Sequence, residues 1–126
     1  IDDIENFINI LYNKLEPNGI LLFSTFGVEN FRELSFALDK NLSYHSSKEY
    51  RELLKNFQLE IEEEAHILAF KTPKDVLKHI KLTGVNAIDE TKWTKSDMIR
   101  FEKGYNNFCS FRPTLTYNPI YIKISK

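Results

Sequence analysis

The side chains in this sequence that could do chemistry are few and scattered. Its three histidines, His45, His66 and His79, stand far apart, and Cys109 is its single cysteine. A metal centre or a nucleophile and its base need such groups at spacings that converge, so neither is implied. No Gly-rich phosphate loop, HExxH or GxSxG pattern occurs. His66 falls in an expected strand and His79 on an expected helix, and both read as packed or surface residues rather than catalysts. The run Glu62-Glu63-Glu64 reads as a solvated bend, because no spaced ligands accompany it. One cysteine supplies no disulfide framework.

Charge is distributed less evenly than the total suggests. Residues 1–70 carry 6 Lys/Arg against 13 Asp/Glu and residues 71–126 carry 11 against 5, so nets of −7 and +6 underlie the overall −1. The basic part includes Lys71, Lys74, Lys78, Lys81, Lys92, Lys95, Arg100 and Lys103. Lys74, Lys78 and Lys81 recur at i, i+4 and i+7, which is one face of a helix. A basic face of this kind could meet an acidic partner, and two solvated faces neutralising each other within one fold is the other reading.

Periodicity supplies the elements that would position these groups. Ile4, Phe7, Ile8, Leu11 and Leu15 predict an amphipathic helix over 3–15 behind a cap at Asp2 or Asp3. Pro17-Asn18-Gly19 ends it. The unbroken apolar run Ile20–Thr25 predicts a strand covered on both faces, as in a parallel sheet, closed by Gly27. A helix over 31–39 should bury Phe31, Leu34 and Leu38. Ser46-x-x-Glu49 is a capping box opening a helix with Tyr50, Leu53, Leu54 and Phe57 inward.

Alternation over Leu59–Phe70 predicts one long strand, with a bulge or bend at the acids. Thr72-Pro73-x-Asp75 opens a helix through Val76, Leu77 and Ile80 that should stop at Gly84. Another helix starts behind Thr94 and carries Met98, Ile99, Phe101, Tyr105 and Phe108. Thr114–Ser125 should be a half-buried strand in which Pro119 demands an edge or a bulge.

At 126 residues, with 42% hydrophobic and 28% charged, the composition is that of one ordinary globular domain. No apolar stretch outlasts the four residues of Ile20–Phe23, so a soluble cytoplasmic protein is expected, with neither membrane nor nucleic acid as partner. The sequence opens on Ile1 rather than Met, and the expectation is a fragment of a longer chain.

The segment Leu15-Glu16-Pro17-Asn18-Gly19-Ile20-Leu21-Leu22-Phe23-Ser24-Thr25-Phe26 resembles the helix-to-fifth-strand passage of class I methyltransferases. Further segments follow in order: Phe31-Arg32-Glu33-Leu34, Ala65–Phe70 leading into Pro73–Gly84, Val85-Asn86-Ala87, Thr94–Phe101 and Leu115-Thr116-Tyr117. The series as a whole is similar to the malonyl-acyl-carrier-protein O-methyltransferase family of biotin synthesis. It covers essentially the whole chain but only the family's carboxy-terminal half.

That resemblance implies an α/β fold, the carboxy-terminal half of a Rossmann-like class I methyltransferase sheet. It would contain strands five to seven, the last antiparallel, in a single partial domain over 1–126. Segments 28–58 and 72–110 would form a helical lid or cover. The implied reaction moves a methyl group from S-adenosylmethionine to the free carboxylate of malonyl-acyl-carrier protein, while the cofactor loop has no counterpart here. Such a fragment would be inactive alone and would dimerise or exchange strands if well ordered.

An ionised carboxylate needs no general base, so alignment and a dry site would carry the rate. No catalytic residue is therefore assigned. Arg112 is the first candidate to hold the carboxylate, with Thr25, Phe26 and Tyr117 bordering the substrate. Packing roles remain open for each of them. Lys74, Lys78, Lys81, Lys95 and Arg100 would dock the acidic carrier protein. Two other readings are carried: another class I methyltransferase acting on a small acid or quinone precursor, and a non-catalytic carrier-protein-binding module.

Overall fold

Apolar spacing at the amino end produces helix α1 (Ile4–Asn13) in the computed structural model, which describes residues 3–39, 43–83 and 90–126. Asp3 is its cap, and the Asp3 carboxylate accepts from the Asn6 amide at 3.1 Å. Asp2, Gly84 and the Val85-Asn86-Ala87 segment lie outside the described residues. The described residues group into two compact units. The first takes those through Asn30, then Ser43–Ala65 and Asn118–Lys126, and the second takes those of Phe31–Leu42 and His66–Tyr117.

In the first unit, strands β1 (Ile20–Phe26), β2 (Gln58–Glu63) and β5 (Pro119–Ser125) form a sheet in the order β1-β5-β2. β5 runs antiparallel to both neighbours, so β1 and β2 point the same way. Ile120, Ile122 and Ile124 alternate into a core with Ile8 of α1 and with Tyr50 and Leu54 of helix α3 (Ser47–Leu53) and its carboxyl cap. The capping box expected at Ser46 and Glu49 is formed. The terminal ammonium-bearing side chain of Lys126 donates to the Tyr12 and Leu15 carbonyls at 3.1 and 2.8 Å, satisfying acceptors at the carboxyl end of α1.

The second unit pairs β3 (His66–Ala69) antiparallel with β4 (Thr114–Tyr117). Helices α2 (Arg32–Leu38), α4 (Pro73–Leu82) and α5 (Lys95–Phe108) bury Leu34, Val76, Ile80, Phe101 and Tyr105 together with Leu115 of β4. Thr72 and Thr94 cap α4 and α5 through side chains that accept from the Asp75 and Asp97 amides.

Several expectations need correction. β1 is not covered on both faces: among the described residues it pairs with β5 alone, Leu22 is 70% exposed, and Ile20 is 51% exposed. The expected long strand over Leu59–Phe70 is two strands in different units. After Glu63 the Glu64 amide donates to the Pro119 carbonyl, and the Glu64 carbonyl accepts from the Asn118 side chain, so the β2 ladder closes there. Thr114–Ser125 is likewise two strands, divided at Asn118, with Pro119 as the first residue of β5, where its missing donor is tolerated. Phe31 is not helical: it caps α2 in a left-handed conformation at φ 54°. Phe7, expected on a buried face, is 43% exposed, and on α5 Ile99 and Phe108 are exposed as well, Phe108 stacking on Phe36 at 4.8 Å.

Candidate functional site

Ligands of α/β sheets collect beyond the carboxyl ends of parallel strands, and the first unit has a cleft at that end of β1. It measures about 390 Å³ and is lined in part by Thr25, Phe26, Tyr44, His45 and Tyr50. β1 delivers Thr25 and Phe26. The capping box of α3 delivers the others, because Ser46 fixes where the helix begins and hence where Tyr44, His45 and Tyr50 stand.

The cleft's polar groups are tied down from behind. The Thr25 hydroxyl lies 3.3 Å from the Tyr50 hydroxyl. His45 Nδ1 lies 3.0 Å from a Glu49 carboxylate oxygen, and the imidazole presents its ring to Tyr50 in a T-shaped contact at 5.5 Å. The His45 side chain, followed by the Ser46 backbone amide, holds the Glu49 carboxyl below the usual carboxylate range. Asn30, 1% exposed, donates through Nδ2 to the Tyr44 hydroxyl at 3.3 Å.

Of the residues singled out in the sequence, Thr25 and Phe26 meet in this cleft. Arg112 and Tyr117 belong to the second unit. Arg112 is exposed in the turn after α5, and Tyr117 is half-buried on β4 with its hydroxyl 3.0 Å from His79 Nε2 and its ring 5.2 Å from Phe31. Lys74, Lys78 and Lys81 stand exposed along α4, and Lys95 and Arg100 along α5. Lys74 faces Glu102 at 3.8 Å, Lys81 faces Glu90 at 3.3 Å, and Arg100 faces Asp97 at 2.8 Å. Exposed pairs of this kind are weak, so they leave the basic charge available to a partner.

Three groups escaped the sequence reading. Tyr44 carried no pattern of its own. His45 counted as one of three scattered histidines, although its spacing of four from Glu49 was a usable sign of an ion pair. Glu33 sat within an amphipathic helix yet is fully buried, accepting from the Thr114 hydroxyl at 2.8 Å and from the Thr116 hydroxyl and amide at 2.7 and 2.9 Å. Among the described residues no three His, Cys, Asp or Glu side chains converge as a metal site, and no helix is long and apolar enough to cross a membrane.

Comparison with known proteins supports the family resemblance. The chain is 39% identical over its whole length to a malonyl-acyl-carrier-protein O-methyltransferase of Calditerrivibrio nitroreducens, covering 53% of that protein. It is 35% identical, again over its whole length, to the enzyme of that name from Chlorobium luteolum, covering 49% of it. The chain thus spans about half the length of the curated relatives it matches. No protein-family model matches it. Among solved structures, a putative methyltransferase of Bacillus halodurans superposes with a TM-score of 0.54 at 14% identity, covering 97% of this chain and 57% of that one. That likeness concerns the fold, which is an α/β fold resembling methyltransferases.

Proposed function

We propose that this chain is the carboxy-terminal half of an S-adenosylmethionine-dependent malonyl-acyl-carrier-protein O-methyltransferase, contributing the substrate side of the enzyme rather than its cofactor loop. The observation that carries this reading is the 39% identity running through the entire chain while matching 53% of the relative. The sheet order supports it as well: a reversed strand between two co-directional ones, β1-β5-β2, is what strands five, seven and six of such a sheet would form. Segments 28–58 and 72–110 then supply the helical cover. The open face and edge of β1 suit the remaining part of the sheet, and in its absence they favour dimerisation or strand exchange. The setting is the cytoplasm, where biosynthetic acyl carriers work.

S-adenosylmethionine would supply an electrophilic methyl group. The residues of this chain do not fit its phosphate-loop-like binding turn, because the four glycines are isolated from one another along the sequence. The chain's own contribution is to hold an acyl carboxylate in line and keep water away. A malonyl carboxylate is ionised at neutral pH, so the transfer requires no general base. Thr25 and Phe26 border the acyl group, and Arg112 and Tyr117 are the further substrate-binding candidates.

A hybrid in which this sequence replaces the matching half of the C. nitroreducens relative tests the reading. It should transfer labelled methyl from S-adenosylmethionine to malonyl-acyl-carrier protein and leave acetyl-acyl-carrier protein unmodified. A folded hybrid that binds S-adenosylmethionine yet forms no ester would refute it. In the same hybrid, replacing Lys74, Lys78 and Lys81 together by Glu should weaken carrier-protein affinity about tenfold at low salt, with the loss shrinking as salt is added. Unchanged affinity would remove α4 as the docking face.

A further inference from the structure

The groups around the cleft at the end of β1 have more protons to give than acceptors to receive them. The Asn118 amide donates to Asn30 Oδ1 at 2.9 Å, and since a backbone N–H can only donate, this contact sets the orientation of the Asn30 side chain. Asn30 Nδ2 is then the donor toward the Tyr44 hydroxyl, at 3.3 Å. Tyr44 accepts there, so its own proton is left for another group. The Thr25 and Tyr50 hydroxyls form one bond between them at 3.3 Å, and whichever donates, the other retains a proton to give. Glu49, kept ionised, accepts only, so His45 Nδ1 carries a proton and the ring is held with Nε2 as its remaining polar atom. Among the described residues no Asp or Glu lines the cleft, and Phe26 gives it an apolar wall.

We propose that this cleft is an oxyanion subsite that takes the carboxylate of a small acyl group, with Tyr44 and the Thr25–Tyr50 pair as its donors. A set of donors without a facing carboxylate repels cations and selects an acceptor. Neutral hydroxyls also suit a carboxylate that must stay nucleophilic, because they orient one oxygen without the tight bidentate pairing a guanidinium would impose. Asn118 and Asn30 act behind the site as positioning residues that aim the Tyr44 proton. A cleft of about 390 Å³ accommodates a three-carbon acyl end while remaining open to its thioester. Assigning the carboxylate to the reacting end of a malonyl group rests on the function proposed above, whereas the preference for a carboxylate does not.

S-malonyl-N-acetylcysteamine and its methyl ester, titrated separately into the 126-residue chain and followed by NMR, separate the possibilities. The free acid should shift the resonances of Thr25, Tyr44, His45 and Tyr50, and the ester should bind roughly tenfold more weakly or worse. Tyr44→Phe keeps the ring and removes the proton, so it should weaken the acid roughly tenfold and leave the ester unchanged. Thr25→Val, which keeps the branched shape and removes one of the paired hydroxyls, should also weaken the acid and serves if Tyr44→Phe disturbs the fold. Equal binding of acid and ester, no binding of the acid, shifts elsewhere in the chain, or indifference to both substitutions would overturn the subsite. In the hybrid enzyme, methyl transfer with an unchanged KM in Tyr44→Phe and Thr25→Val would overturn the subsite and leave the proposed function standing. Acid binding in this cleft beside an inactive, folded hybrid would do the reverse.

Discussion

Glu33→Ala should destabilise the second unit by about 3 kcal/mol or more. The carboxylate is fully buried and receives three donors, the Thr114 hydroxyl and the Thr116 hydroxyl and amide. Each donor orphaned by its removal costs about 1–3 kcal/mol, and Thr116 itself is 2% exposed, so water cannot replace the lost acceptor at its amide. Tyr105 belongs to the same cluster. Burial, reinforced by the nearby Glu33 and Cys109, pushes its phenol well above the usual tyrosine range. It therefore stays protonated and donates to the Thr114 carbonyl. Glu33→Gln retains the shape and one acceptor oxygen, and the two threonine hydroxyls can turn to accept from the new amide, so it should lose distinctly less. Urea unfolding gives the order, and hydrogen exchange at the Thr116 amide locates it. An alanine variant unfolding at the wild-type urea concentration would show that the carboxylate does not anchor β4.

Glu33 also shows where the sequence stops being readable. Helix α2 was legible because Leu34 and Leu38 repeat on one face, but a glutamate beside them carries no mark saying whether it points to water or inward. Its burial depends on Thr114 and Thr116, some eighty residues away, which only the folded chain brings near. The caps at Asp3, Ser46, Thr72 and Thr94 were legible for the opposite reason, since each is a bond across three residues. Strand continuity failed twice at the same place. Alternation in Leu59–Phe70 and Thr114–Ser125 runs on through Glu64-Ala65 and Asn118, because both halves of each stretch are strands and period-two patterning says nothing about which sheet a strand joins.

The candidate site was legible at one end only. Thr25 and Phe26 follow an apolar strand, and α/β topology alone marks such positions as facing a ligand. Tyr44 and His45 enter through a loop whose placement depends on the capping box that follows and on Asn30 behind it. Neither carries a motif. The resemblance to methyltransferases could name the reaction, but the donors at the cleft depend on which oxygen accepts from which nitrogen, and that is set only by the folded chain.

The second large effect lies at Asn118. Asn118→Ala should destabilise the first unit by about 2–4 kcal/mol, because two partners lose their match: the Glu29 amide, which donates to Oδ1 at 3.0 Å, and the Glu64 carbonyl, which accepts from Nδ2 at 2.8 Å. Gly27 is held to glycine by the same side chain. A Cβ there would meet Asn118 Oδ1 at 2.4 Å and the Ile120 Cδ1 methyl at 3.0 Å, so Gly27→Ala must push the amide off its bonds. The two substitutions are therefore coupled. In the Asn118→Ala background the worst contact is gone, and adding Gly27→Ala should cost at least about 1 kcal/mol less than it does in the native chain. A double-mutant cycle by urea unfolding measures this directly, and strict additivity would mean that Asn118 does not constrain Gly27. The Asn118 backbone N–H that orients Asn30, and through it Tyr44, survives both substitutions, so the Tyr44 ring resonances should report only a shift of the backbone there.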